Sequence, residues 1–180
     1  MPNWCKNKLT ITGSADHLQK FDTAFKGYQA AWKNLKPKGK DYCLNALYPV
    51  PKEIIEIGFT LDESDDKAKE LYQLHKKDGY DWCIENWSVK WDCDIELFLA
   101  FENSYEYRFL SPWNSPFNWA LEVSKKWPNI QIALTFYEPG VVCAGESVYK
   151  NGEIIQEIEH IHAECEYEAF VHENFGSVNW

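Results

Sequence analysis

The densest concentration of chemically capable side chains lies between Glu85 and Asp92. There Glu-Asn-Trp-Ser-Val-Lys-Trp-Asp places two indoles, an amide, an ammonium and a carboxylate at each end within eight residues. Read as an extended segment from Trp82 to Asp92, the side chains alternate, so Trp87 and Trp91 share one face and Asn86 and Lys90 the other. Such a surface can stack a planar base on one or both indoles, at roughly 1–3 kcal/mol per base, while Asn86 and Lys90 hold its polar edge and phosphate. Arg108, the single arginine among 18 basic residues, is a further phosphate contact, because a guanidinium donates in a planar fork that an ammonium lacks. Trp113 stands in Ser-Pro-Trp-Asn-Ser-Pro (111–116) ahead of an expected helix, whose first backbone N–H groups favour an anion. The plainer alternative for every one of these rings is a place in the core, with the nearby polar groups satisfying irregular backbone.

Other constellations are weaker. His160, His162 and Cys165, with Glu164 between, have metal-ligand chemistry but no established third-ligand geometry, and no metal or cofactor is expected. The chain has no G-x-S-x-G, no P-loop and no H-E-x-x-H. An enzyme reading therefore rests on isolated groups such as Glu85, Asp92 or His160, and catalytic residues are not assigned.

Composition narrows the partners. Aromatic residues make up 16% of the chain, with nine Trp, more than a core of this size requires, and Trp and Tyr suit planar ligands and partner surfaces. The net charge of −10 argues against DNA, since nucleic-acid binding needs clustered cations to release counterions. The charge is uneven: residues 1–60 hold nine lysines against five acids, residues 61–180 nine bases against 23 acids. An acidic surface of that kind either aids solubility or meets a basic host protein. Six scattered cysteines without a CxxC pair read as reduced thiols of a cytoplasmic protein. The polar start at Met1-Pro2-Asn3-Trp4 does not resemble a signal peptide, and no run is apolar enough to span a membrane.

The elements that must position these residues follow from periodicity. A strand is expected from near Trp4 to Thr12. A helix from Ser14 or Asp16 carries the stripe Leu18, Phe21, Phe25, Tyr28 and Trp32. Cys43 to Pro51 reads as a short extended edge or turn, because Pro49 and Pro51 cannot donate to a sheet ladder. A helix over 65–78 follows, then strands over 95–101 and 105–110. A helix from Ser115 or Pro116 to Trp127 leads to strands at 130–137 and 141–149. Asn151-Gly152 is a type I′ hairpin turn, and residues 159–180 end the chain as a short acidic helix or tail. Strand, helix, strand, strand, helix, strand is the order of a ferredoxin-like split βαβ, an α+β fold of mostly antiparallel sheet, here with an inserted helix and an appended β-hairpin. A single domain over residues 1–180 accommodates it, and sheet-edge or sheet-face pairing would make a homodimer.

Four segments carry a family resemblance: Met1-Pro2-Asn3-Trp4-Cys5 with Asn7; Trp82 to Asp92; Ser111 to Pro116; and Tyr137-Glu138-Pro139-Gly140 with Ala144-Gly145-Glu146. Together they resemble the YubB-like family of plasmid and bacteriophage proteins, with departures at Ser88, where Gly is expected, and at Asn114-Ser115, where Ser-Pro is expected. The resemblance implies a ferredoxin-like domain and a mobile-element origin. The expected function is thus a non-enzymatic accessory protein that sequesters a small nucleotide-type ligand as a host counter-defence, through Asn86, Trp87, Lys90, Trp91, Arg108 and Trp113. The alternatives are an acidic module that blocks a basic host protein surface and a nucleotide-processing enzyme.

Overall fold

Alternation decides the first element. In β1 (Trp4–Thr12) Cys5, Asn7, Leu9 and Ile11 are buried and the residues between them are not, so one face of the strand turns to the core. The computed structural model describes residues 3–33, 39–161 and 165–176. After β1 come α1 (Ala15–Phe25), β2 (Lys26–Tyr28), β3 (Gly39–Tyr42), α2 (Leu44–Leu47), α3 (Lys52–Ile57), α4 (Asp66–His75) and α5 (Gly79–Trp87). Then follow β4 (Ile95–Ala100), β5 (Ser104–Pro112), α6 (Phe117–Lys126), β6 (Gln131–Glu138), β7 (Cys143–Lys150), β8 (Glu153–Ile161) and α7 (Cys165–Phe175).

The sheet runs β2-β3-β4-β5-β1-β6-β7-β8 and all its pairings are antiparallel. Its centre, β4-β5-β1-β6, with α1 and α6 as the crossovers, is the ferredoxin-like split βαβ, so the expected fold class stands. Two hairpins lengthen it: β2-β3 at one edge and β7-β8 at the other. Asn151 and Gly152 both have positive φ (51° and 79°), as a type I′ turn requires.

Leu9, Ile11, Tyr107, Phe109, Ile132 and Leu134 face Leu18, Phe21 and Phe25 of α1 and Trp119, Ala120 and Val123 of α6. On the opposite face α7 lies against the β6–β8 side, where Tyr137 meets Tyr167 and Phe175, and His160 meets Phe170 at 4.9 Å.

The sequence expectations fail in the insertion between α1 and β4. The first helix stops at Phe25, because Lys26–Tyr28 pairs with β3. Gly27 passes so close to α2 that an added Cβ would lie 2.9 Å from the Ala46 Cβ. Cys43 to Pro51 holds the four-residue helix α2 instead of an extended edge. The group that caps α2 is 48 residues away: the Asp92 carboxylate accepts the N–H of Leu44 (2.7 Å) and Asn45 (3.2 Å), and also that of Cys93 (2.8 Å).

Trp82 to Trp87 is helical and not extended. Asp78 caps α5 by accepting the Asp81 N–H, Gly79 occupies its first position, and Ser88 ends it in the left-handed region (φ 66°). Trp87 therefore turns inward, fully buried, and its indole N–H donates to the Tyr48 carbonyl at 3.0 Å. Trp119 does the same to the Leu44 carbonyl at 2.9 Å. Trp87 thereby ties α5 to the segment after α2 within the insertion, and Trp119 bolts the insertion to α6, each a buried indole that finds a partner for its N–H. The expected helix over 65–78 appears as α4, three residues shorter at its C-terminal end, and of the expected acidic helix or tail over 159–180, residues 159–161 complete β8 while Cys165–Phe175 forms α7.

Burial pushes the Asp92 carboxyl up to about 7, against the pull of its three N–H donors and with help from Asp94. A carboxyl whose native pKa lies above its unfolded value binds more protons when folded, so its contribution to stability falls as pH rises through that window. Urea unfolding of wild type and Asp92→Asn should show wild type losing stability relative to the variant between about pH 4 and pH 7 and no further change above. A pH-independent difference would contradict this.

Candidate functional site

The site begins at a buried amide. Asn7 is fully buried on β1, and its Nδ2 donates to the Ser111 hydroxyl (2.7 Å) and to the Cys5 carbonyl (2.9 Å). Its Oδ1 accepts the Ser115 hydroxyl at 2.6 Å. Ser111 in turn donates to the Asn114 carbonyl at 2.5 Å. Every member is hydrogen-bonded, which is the condition for a polar network to rigidify a core instead of weakening it. The network clamps the turn 111–116 between β5 and α6, with Pro112 and Pro116 buried at either side.

At the tip of that turn Trp113 takes φ 70°, a left-handed conformation that a bulky residue adopts at a cost of about 1–3 kcal/mol. Its N–H donates to the Asn3 carbonyl at 2.9 Å, and the residue is 47% exposed. The Lys90 ammonium sits 4.4 Å from the ring centroid, and 5.9 Å from that of Tyr80. The two places where Gly and Ser-Pro are expected, Ser88 and Asn114-Ser115, both fall here, and Ser88 and Ser115 each have a job. Ser88 adopts the positive φ for which Gly is the usual residue, and its hydroxyl accepts the Asn118 N–H at 3.1 Å. Ser115 supplies the bond to Asn7.

Trp113 lines a cavity of about 350 Å³ between the start of α6, the inner face of β6–β7 and the edge strand β8. Its apolar walls include Phe117, Phe136 and Tyr149, and its polar groups include Glu138, Glu157 and Glu159. Space exists because Cys143, Gly145 and Ser147 alternate on the inward face of β7, where larger residues would fill it. Gly145 is required: an added Cβ would lie 2.2 Å from the Ile158 carbonyl oxygen and 3.0 Å from the Phe136 ring.

The electrostatics are one-sided, with no lysine or arginine among the lining residues. Glu138 is buried and its two carboxylate oxygens accept the N–H groups of Gly140 and Val141, closing the turn after β6. Glu159 accepts the Cys143 thiol at 3.0 Å, and Glu157 the Ser147 hydroxyl at 3.5 Å. Burial, and then the Glu138 charge, push the Cys5 thiol up to about 12; burial and the Glu159 hydrogen bond do the same to Cys143. Both shifts favour the protonated thiol over the thiolate that a nucleophile requires. What the cavity offers is apolar walls to a planar ring and carboxylate oxygens to N–H donors.

Of the six residues expected to bind, the structure brings Trp113 and Lys90 together and disperses the others. Trp87 is in the core. Asn86 accepts the Tyr48 hydroxyl and donates to the Trp82 carbonyl. Trp91 packs edge-on against Trp4. Arg108 lies on the outer face of the sheet, ion-paired to Glu106 and with its guanidinium 3.4 Å from the Phe98 ring centroid. The anion site expected at the start of α6 is already engaged in part by Ser88. Glu85, Asp92 and His160 occupy three separate places: an exposed pair with Lys77, the cap of α2, and the outer face under α7. His162 and Glu164 lie outside the described residues, as does the Cys165 side chain. Among the described residues no group of three His, Cys, Asp or Glu side chains is placed to hold a metal.

These features define a ferredoxin-like α+β domain with a side pocket between its second crossover helix and an appended hairpin. The chain belongs to the family described as the ferredoxin-like domain in Api92-like protein, whose model matches residues 86–177, the stretch that builds every wall of the pocket except Cys5. The crystal structure of a protein Api92 from Yersinia pseudotuberculosis is similar, with TM-score 0.56 and 14% identity over 89% of this chain and 98% of that one, a likeness of fold. No curated protein matches the chain. No helix among the described residues is long and apolar enough to cross a membrane.

Asn7→Ala removes the acceptor of the Ser115 hydroxyl and the donor to Ser111. Leaving such buried groups unpaired costs about 1–3 kcal/mol, and the loss should appear in chemical denaturation with a red-shifted Trp emission as the 111–116 turn loosens. An unchanged midpoint would show that the network does not hold the turn.

Proposed function

We propose that this chain is a non-catalytic binding protein that sequesters a small nucleotide-type ligand in the cavity beside Trp113. The observation that carries the reading is an exposed indole held in a costly backbone conformation at the lip of a cavity of ligand size, with a cation on its ring. About 300–1,000 Å³ is usual for small-molecule sites, and 350 Å³ suits a single nucleoside better than a dinucleotide. The three carboxylates orient it. A base enters with its N–H-bearing edge toward Glu157 and Glu159, and its phosphate stays outside the acidic interior, beside Lys90. The finer YubB-like membership, and with it a mobile-element setting in which sequestration counters a host defence, is part of this proposal and rests on the four sequence segments.

Calorimetry with free bases, nucleosides, and linear and cyclic mononucleotides tests it. Micromolar binding is expected for at least one base. Trp113→Ala should weaken it about 10- to 100-fold, the equivalent of one stacked ring, and Lys90→Ala should weaken nucleotides more than their nucleosides. No heat with any member of the panel would end the reading.

A further inference from the structure

A second surface, the open edge of β8, borders the cavity and shares Glu157 and Glu159 with its wall. Strand β8 ends the sheet, and its nine residues, Glu-Ile-Ile-Gln-Glu-Ile-Glu-His-Ile, are exposed along almost their whole length. A sheet edge presents a row of backbone donors and acceptors ready to pair with another strand, and natural edges are commonly blunted by lysine, proline or shortness. This one has neither lysine nor proline and spans about 30 Å at 3.3 Å per residue. It leaves Ile154, Ile155, Ile158 and Ile161 open on both faces. The opposite edge, β2, is three residues long.

Charge selects the occupant. Glu153, Glu157 and Glu159 lie on β8, exposed Glu166 and Glu168 begin α7 beside it, and there is no Lys or Arg from Asn151 to Trp180. A second copy is a poor partner, since two β8 strands side by side would align six glutamates without a cation, and like charges directly opposite destabilise a strand pair. We infer that β8 takes up, by strand addition, an extended basic segment of another protein in which Lys or Arg alternates with β-branched apolar residues. Main-chain hydrogen bonds would supply the affinity, the isoleucines would pack on the apolar side chains, and the glutamates would favour cations and reject acidic strands. The same carboxylates that keep the edge from pairing with itself thus specify its partner.

The test uses the full chain and a fluorescein-labelled decapeptide of alternating Lys and Val. Three comparison peptides have Glu for Lys, Pro for every second Val, or N-methyl groups on alternate amides. Anisotropy should show binding of the Lys-Val peptide alone, weakened about tenfold or more between low and high salt and similarly by the combined Glu153→Gln, Glu157→Gln and Glu159→Gln changes. Hydrogen exchange should show slowed amides within residues 153–161 when the peptide is bound. Equal binding of the proline or N-methylated peptide would mean charge attraction without strand pairing and would overturn the inference. So would protection elsewhere, no binding, or a homodimer joined through β8 and detected by sedimentation.

Discussion

The side chain of Asn7 is the constraint on which the site depends. A primary amide at full burial would cost several kcal/mol if left bare, and here its oxygen and its amide group are met by Ser115, Ser111 and the Cys5 carbonyl. Ser111 and Ser115 lie more than 100 residues along the chain, so satisfying one amide joins the first strand to the turn that follows β5. That turn then cannot relax, and Trp113 is left in a left-handed conformation with its ring in solvent. A strained aromatic that contributes little to the core, fixed by a network that does, is the arrangement expected where position counts for more than stability.

Two neighbouring surfaces share the acidic side of the molecule and differ in kind. The cavity is apolar-walled with carboxylates at one end, suited to a flat ring that carries N–H groups. The edge of β8 is linear, suited to a backbone. Gly145 connects them, because only the absence of a side chain lets β8 and the Phe136 ring approach as closely as they do.

Much of the fold was legible and much of the site was not, for reasons that can be named. Clean alternation in 4–12 and 130–137, and the Asn151-Gly152 turn, are local signals, and the strands they mark are present. Residues 82–92 misled because tryptophans four apart satisfy both a strand and a helix period. The deciding features, Asp78 as cap and Ser88 as left-handed stop, are polar residues outside the aromatic pattern. The short helix α2 was hidden because Asp92 caps it from another element. In the cavity, Trp113 and Lys90 stood out by type, whereas Phe136, Tyr149, Glu138, Glu157 and Glu159 come together through strand pairing. The one available clue was parity: Cys143, Gly145 and Ser147 put small side chains on the inward face of a strand whose other inward residue is Tyr149.

The most direct measurement is the indole region of a nitrogen–proton correlation spectrum during titration with nucleoside monophosphates. Nine tryptophans give nine signals, and those of Trp87 and Trp119, whose N–H groups donate to core carbonyls, serve as fixed references. Saturating ligand should move the Trp113 signal and leave those two in place. A Trp113 signal unmoved by every monophosphate would contradict ligand binding beside that ring.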